Sequence, residues 1–300
     1  MRAGVSAFVK AIVALMTLAL IVAFAMAARI APASLAARLE QHVRAVASTE
    51  HNTSKTKALD AATCYIAEAL TASGMQVRRQ QYTAGGHKVR NLEVAFINTR
   101  GGKPPDRIFI IGAHYDLAPG APGVSDNGLG TAAVIELARL LKGVRLSEGT
   151  ELKFVFFVNE APLWFMGETI GHDSNTKGGQ RYQTGLEKPY PDAGNFIAFV
   201  GTLGASEQVR KTLAAFKATS SVPAEGLAAP AYVEGVTLSD YPSHNRPGTP
   251  ALMITETAFL RYPYYHAARD TPDKRGYASM ARVVNGLAKV IEGMAAPVRM

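Results

Sequence analysis

A chain of 300 residues, 48% of them hydrophobic, can build one sizeable α/β domain with an ample core. Its net charge of +8 is scattered, with no run of Lys and Arg interleaved with aromatics, which argues against a nucleic-acid partner. The single cysteine, Cys64, precludes an internal disulfide; its place in an apolar helical pattern predicts a small core residue rather than a nucleophile.

From Ala11 to Ala28 the sequence is almost unbroken apolar, behind Arg2 and Lys10. That length lies between a long signal-peptide core and a short membrane span. The expectation is an uncleaved anchor over residues 1–29, with cleavage near Ala25-Met26-Ala27 as the alternative. In either case residues 30–300 face the periplasm or the exterior.

Leu35 to Val46 and Lys57 to Ser73 read as amphipathic helices, the second with Leu59, Ala62, Ile66 and Leu70 at helical spacing and Gly74 as its stop. Two strands, Gln76 to Tyr82 and Val89 to Ile97, flank a Gly85-Gly86 turn. After Gly101-Gly102 and Pro104-Pro105 comes an apolar run, Ile108 to Ile111, expected as a buried strand. A helix reaching Leu141 follows, then a buried strand, Leu152 to Val158. Pro162 to Asp192 is long, polar and weakly patterned, the mark of a functional loop. A strand (Asn195 to Val200), a helix (Ser206 to Ala218), another strand (Ala251 to Thr255) and a closing helix (Arg275 to Met294, with Met280, Val283, Leu287 and Ile291 on one face) complete the chain. This order predicts an α/β fold: a single domain with a mostly parallel, mixed central sheet sandwiched by helices.

The chemistry gathers after the Ile108 strand. His114 and Asp116 sit at its end, and Asp126 lies in a Gly- and Pro-rich turn where the next helix begins. Open α/β sheets bind ligands outside the carboxyl ends of their strands. Taken singly, His114 reads as a hydrogen-bonded strand-end histidine and Asp126 as a helix N-cap. Asp116, two residues beyond His114, shares its side of the strand and is placed to orient the imidazole. Glu160 ends the next apolar strand, poorly explained as surface decoration.

Gly112-Ala113-His114-Tyr115-Asp116, then Asp126-Asn127-Gly128-Leu129-Gly130, and later Tyr265-His266 followed by Asp270-Thr271 resemble the co-catalytic two-metal zinc aminopeptidases. Their superfamily includes glutamate carboxypeptidases, the transferrin-receptor ectodomain and glutaminyl cyclases. The resemblance runs to about Lys289. It implies zinc ligands at His114, Asp126 (the carboxylate bridging two metals in the family) and His266. It also implies Asp116 behind His114, and Glu160 as the general base that moves a proton from water to the leaving amine. Ser239-Asp240 resembles a further element whose aspartate lies near substrate, although Tyr241 stands where that element has a histidine.

Two ligand positions depart from the pattern: Ala161 follows Glu160, and Ala198 stands where a later strand carries an acid. Neither side chain has a donor atom. One zinc shared by His114, Asp126 and His266 is therefore expected. Two would require substitutes such as Glu168, His172 or Asp173. The expected activity is aminopeptidase-type peptide hydrolysis, with Trp164, Phe165 and the tyrosines near His266 offered as an apolar pocket. The rival reading is a degenerate cleft that binds peptides or proteins without cutting them.

Overall fold

The computed structural model describes residues 33–159, 177–182, 186, 189–233, 235–237 and 250–297. Helices α1 (Leu35–Val46) and α2 (Thr56–Ala72) bury one stripe each: Leu39, His42, Val43 and Val46 on α1, and Leu59, Ala62, Thr63, Ile66, Ala67 and Leu70 on α2. Cys64 is exposed, which corrects its expected place in the core. At about 100° per residue, position 64 points away from the stripe that its α2 neighbours define.

Strands β1 (Arg78–Ala84) and β2 (His87–Asn98) form an antiparallel hairpin with Ala84 opposite His87. Gly85 and Gly86 both take positive φ, as a two-residue hairpin turn demands. Next come β3 (Arg107–His114), α3 (Leu129–Leu141) and β4 (Thr150–Phe157). The second half of the chain supplies β5 (Ile197–Thr202), α4 (Ser206–Thr219), β6 (Ala224–Ala229), β7 (Met253–Thr255), a short α5 (Ala258–Arg261) and α6 (Tyr277–Ala295).

The strands pair as two hydrogen-bonded sets, β1-β2-β4-β3 and β6-β5-β7. Pairs β3/β4 and β5/β6 are parallel; β1/β2, β2/β4 and β5/β7 are antiparallel. Strand β6, Ala-Glu-Gly-Leu-Ala-Ala, was not predicted. It lacks the β-branched and aromatic residues that favour strands, and its ladder with β5 defines it.

One core runs under both sets and takes in Phe154, Phe156, Ile197, Phe199, Phe216 and the inner faces of α1, α2, α3 and α6. Strand β3 faces it with Phe109 and Ile111, while Ile108 and Ile110 are about half exposed (51% and 50%), which corrects the fully buried strand expected there. Alternation puts Ile108 and Ile110 on the opposite face, in rows with Glu151 and Lys153 of β4. The other side of β5 carries a smaller cluster, Phe196, Ala198, Val200 and Met253.

Buried Glu136 of α3 ties α3 to α1 through Arg38 (2.9 Å) and His42 (3.1 Å), with Arg139 at 2.8 Å. Burial alone would raise its carboxyl pKa. The hydrogen bonds from His42, Arg139 and Arg38 reverse that and hold it at about 2.

The apolar segment 11–28 lies outside the described residues. Among those described, no helix is long and apolar enough to cross a membrane.

Candidate active site

The parallel β3/β4 pair brings His114 beside Phe157, and the chain leaves both strands at the same edge. The segment after β3 is clamped on every side. Tyr115 N–H donates to Phe157 O (2.9 Å), Thr131 Oγ1 to His114 O (2.9 Å) and Asn52 Nδ2 to Leu117 O (3.2 Å). His51 Nε2 lies 2.6 Å from Tyr115 O, and His51 O accepts from Leu117 N–H at 2.8 Å.

Between β3 and α3 the chain turns through Val124–Gly128, with Asp126 and Asn127 in non-helical conformations joined by a cis peptide. Asn127 Oδ1 accepts from Gly130 N–H in the first turn of α3 at 3.1 Å. Asp126 is thereby left out of capping, against its simplest reading. The glycines here have steric causes. A Cβ at Gly130 would lie 2.1 Å from Asn127 Oδ1, and one at Gly128 would lie 2.4 Å from Ala47 Cβ.

Asp126 is buried, and its two oxygens face two imidazoles from distant parts of the chain. His114 Nε2 is 3.0 Å from Oδ1, and His266 Nε2 contacts Oδ2, where the Tyr265 hydroxyl also donates at 3.1 Å. Burial would raise the Asp126 carboxyl, but the hydrogen bonds with His114 and His266 hold it well below the carboxylate range. The Tyr265 ring stacks on His266 at 4.1 Å between centroids. His266 has a left-handed backbone (φ 54°), as do Asn159 (φ 68°), just before Glu160, and Thr257 (φ 54°). Such conformations cost energy and persist where the surroundings impose them, often at functional sites.

A buried aspartate joins the two loops. Asp270 Oδ2 accepts from Ser125 N–H (2.8 Å) and Ser125 Oγ (2.6 Å), and Oδ1 pairs with Arg275. The Arg275 guanidinium lies 3.8 Å from the Tyr262 ring centroid. Asp270 therefore fixes the residue before Asp126 to a point four residues beyond His266.

Two imidazoles and a carboxylate are a zinc-type donor set. In this arrangement His266 hydrogen-bonds to Asp126 and His114 Nε2 stands 3.0 Å from its other oxygen, and among the described residues no group of three or more His, Cys, Asp or Glu side chains is spaced to hold a metal ion. The donor set nonetheless fits the group: both Nε2 atoms are directed at one carboxylate, one to each oxygen.

Residues 95–291 match Peptidase family M28. The chain belongs to this family. As an M28 member it is a metal-dependent peptide hydrolase. Its relatives include the uncharacterized protein YfbL of Escherichia coli (strain K12), 31% identical over 287 residues, 85% of this chain and 87% of that one. Aminopeptidase YwaD of Bacillus subtilis (strain 168) is 44% identical over 55 residues, 18% of this chain and 11% of that one. Among solved structures, an aminopeptidase from Aneurinibacillus sp. strain AM-1 has a TM-score of 0.63 at 15% identity, covering 87% of this chain and 94% of its own. The Fimbriiglobus ruber glutaminyl cyclase has a TM-score of 0.62 at 17% identity, covering 86% and 94%. Both share the M28 fold.

Of the residues singled out in the sequence, this M28 structure brings His114, Asp126 and His266 together. Asp116 is also at the site: His114 Nδ1 meets its backbone carbonyl at 3.0 Å, and its carboxylate Oδ1 stands 3.7 Å away. Glu160, Ala161, Glu168, His172, Asp173, Trp164, Phe165 and Asp240 lie outside the described residues. The sequence reading assigned no role to Tyr265, Asp270 or His51. Tyr265 and Asp270 stand inside the His266 motif. His51 is far from that motif in sequence, and only the fold brings it to Tyr115.

Proposed function

We propose that the protein is a zinc aminopeptidase acting outside the cytoplasm, held to the membrane by its first 29 residues. The observation that carries the catalytic reading is the approach of His114 and His266 to the two oxygens of buried Asp126, in a member of a peptidase family. His114, Asp126 and His266 would hold the ion. When bound, zinc polarises the scissile carbonyl and acidifies water.

The chain's own residues do the remainder. The Asp116 carbonyl fixes the tautomer and direction of the His114 ring, because a proton on Nδ1 leaves Nε2 as the metal-facing lone pair. Tyr265 and Asp270 hold the Asp126 turn and the His266 loop in register. Glu160 takes a proton from the attacking water and passes it to the leaving amine. Asp240 takes part in binding the substrate. One ion is the expected count. A carboxylate with an imidazole at each oxygen also suits two ions, so the count is what to measure.

Purified residues 30–300, assayed on amino-acid anilides beside Glu160→Gln, give the test. About one zinc per chain by mass spectrometry, with activity lost in the variant, supports the reading. Two zincs per chain would refute the single-ion part. Protein that stays inert with added zinc or cobalt would refute the enzyme and favour a peptide-binding cleft.

A further inference from the structure

The second sheet carries a cleft that none of the site residues above occupies. It spans about 630 Å³ of space outside atoms, open solvent at its mouth included. Phe196, Ala198 and Val200 line it from β5 and the residue before it, with Leu227 of β6 and Met253 of β7. Among the described residues of this lining there is one carboxylate, Glu225. Register sets its place: Ala198 is paired with Glu225 on one side and with Thr255 on the other. Alternation along β6 turns Glu225 and Leu227 to the cleft, while a Cβ at Gly226 would meet Leu213 of α4 at 2.8 Å on the opposite face.

Glu225 has no hydrogen bond or ion pair among the described residues, in a chain with 32 Lys and Arg against 24 Asp and Glu. Arg261, the nearby buried cation, is committed elsewhere. Its Nε donates to Gln180 Oε1 (2.8 Å) and its Nη1 to Gly194 O (3.1 Å) and Phe196 O (2.9 Å), with the guanidinium 4.6 Å from the Phe196 ring centroid.

Tyr182 and Tyr190 stack at 6.1 Å in the cleft wall, and their hydroxyls donate to Pro191 O and Gly226 O. Both phenols are pushed up by burial, Tyr182 to about 12, and the Glu225 charge adds to both shifts. The hydroxyls are thus turned to carbonyls, leaving ring surface beside a carboxylate. An apolar cleft with aromatic faces and, among the described residues, one carboxylate without an ion pair is complementary to a long alkyl chain ending in a cation.

We propose that this cleft is a specificity subsite for a basic side chain, arginine or lysine, of the peptide substrate, with Glu225 as the residue that recognises its charge. The inference deepens the aminopeptidase reading and rests on it for the peptide nature of the ligand. Ala198 has a part in this: at that position an acid would carry its own charge into the cleft, whereas alanine leaves room for the arriving side chain.

The test compares arginine amide with citrulline amide, its neutral near-isostere, by titration calorimetry on the full-length protein. Wild type is expected to bind arginine amide roughly 10- to 100-fold more tightly, the worth of one charge-assisted hydrogen bond. Glu225→Gln should bring the ratio to about one, and Glu225→Asp should keep part of it. Equal binding of the two amides by wild type overturns the proposal without any variant. So does a preference that survives in a folded Glu225→Gln, or a loss of bound zinc in that variant, which would assign the carboxylate to the metal. Anilide hydrolysis by wild type, measured separately, keeps the two readings apart. Arginine preference without hydrolysis breaks the aminopeptidase reading and sustains this one; hydrolysis without preference does the reverse.

Discussion

The two sheets share a core and differ in what stands at their functional positions. Where β3 ends, each group is braced by another: His114 by the Asp116 carbonyl and Thr131, Asp126 by Tyr265, and the turn itself by Asp270. On β5, Ala198 is paired with Glu225 of β6, which makes no hydrogen bond or ion pair among the described residues. Side chains proposed to hold a metal would need fixed directions, which this density of hydrogen bonds supplies. A cleft that receives a flexible side chain needs only shape and one charge, so the residues lining it are free to change.

The sharpest way to break this contrast is Glu160→Gln. It should lower kcat by about 10²- to 10⁴-fold, the usual worth of general acid–base catalysis, with zinc content unchanged. Loss of zinc together with activity would make Glu160 a ligand instead.

The core side of the comparison is tested by truncation. Phe154→Ala, which truncates a fully buried side chain of β4, should cost about 3–5 kcal/mol in urea unfolding. Phe196→Ala, which lines an existing cleft, should cost less than half as much. Equal costs would mean that the cleft side is as tightly built as the core.

Acid sharpens it further. The Glu136 pKa is depressed from 4.5 to about 2, so its contribution is complete above pH 4.5 and disappears as pH falls towards 2. That loss is on the order of 2–3 kcal/mol, and it should be absent from the pH–stability curve of Glu136→Gln. Asp270→Asn should weaken zinc binding by about 10- to 100-fold in chelator competition, as expected of a group that holds ligands in place. An unchanged zinc affinity would show that the two loops do not need their link. At the small end, Cys64→Ser on exposed α2 surface should shift stability by less than about 0.5 kcal/mol.

Much of this was legible in the order of residues. The apolar period of α1 and α2 and the Gly85-Gly86 hairpin are local patterns, and they appear where local chemistry puts them. His114, Asp126 and His266 could be singled out because each lies in a short motif, Asp126 before Asn127 and His266 after the Tyr265 that stacks on it. Other features were not local. Strand β6 has no strand-like composition and exists through its ladder with β5. The half-exposure of Ile108 and Ile110 depends on which face of β3 the helices cover. His51 meets Tyr115, and Glu225 meets Ala198, only across the fold.

The sequence by itself determined the helices, the turns and the kind of chemistry, because these depend on neighbours a few residues apart and on which side chains carry donor atoms. The tertiary structure alone decided that two imidazoles reach the two oxygens of one carboxylate, and that Glu225 faces an apolar cleft. Such meetings depend on strand register and loop closure, and no short window of sequence encodes either one.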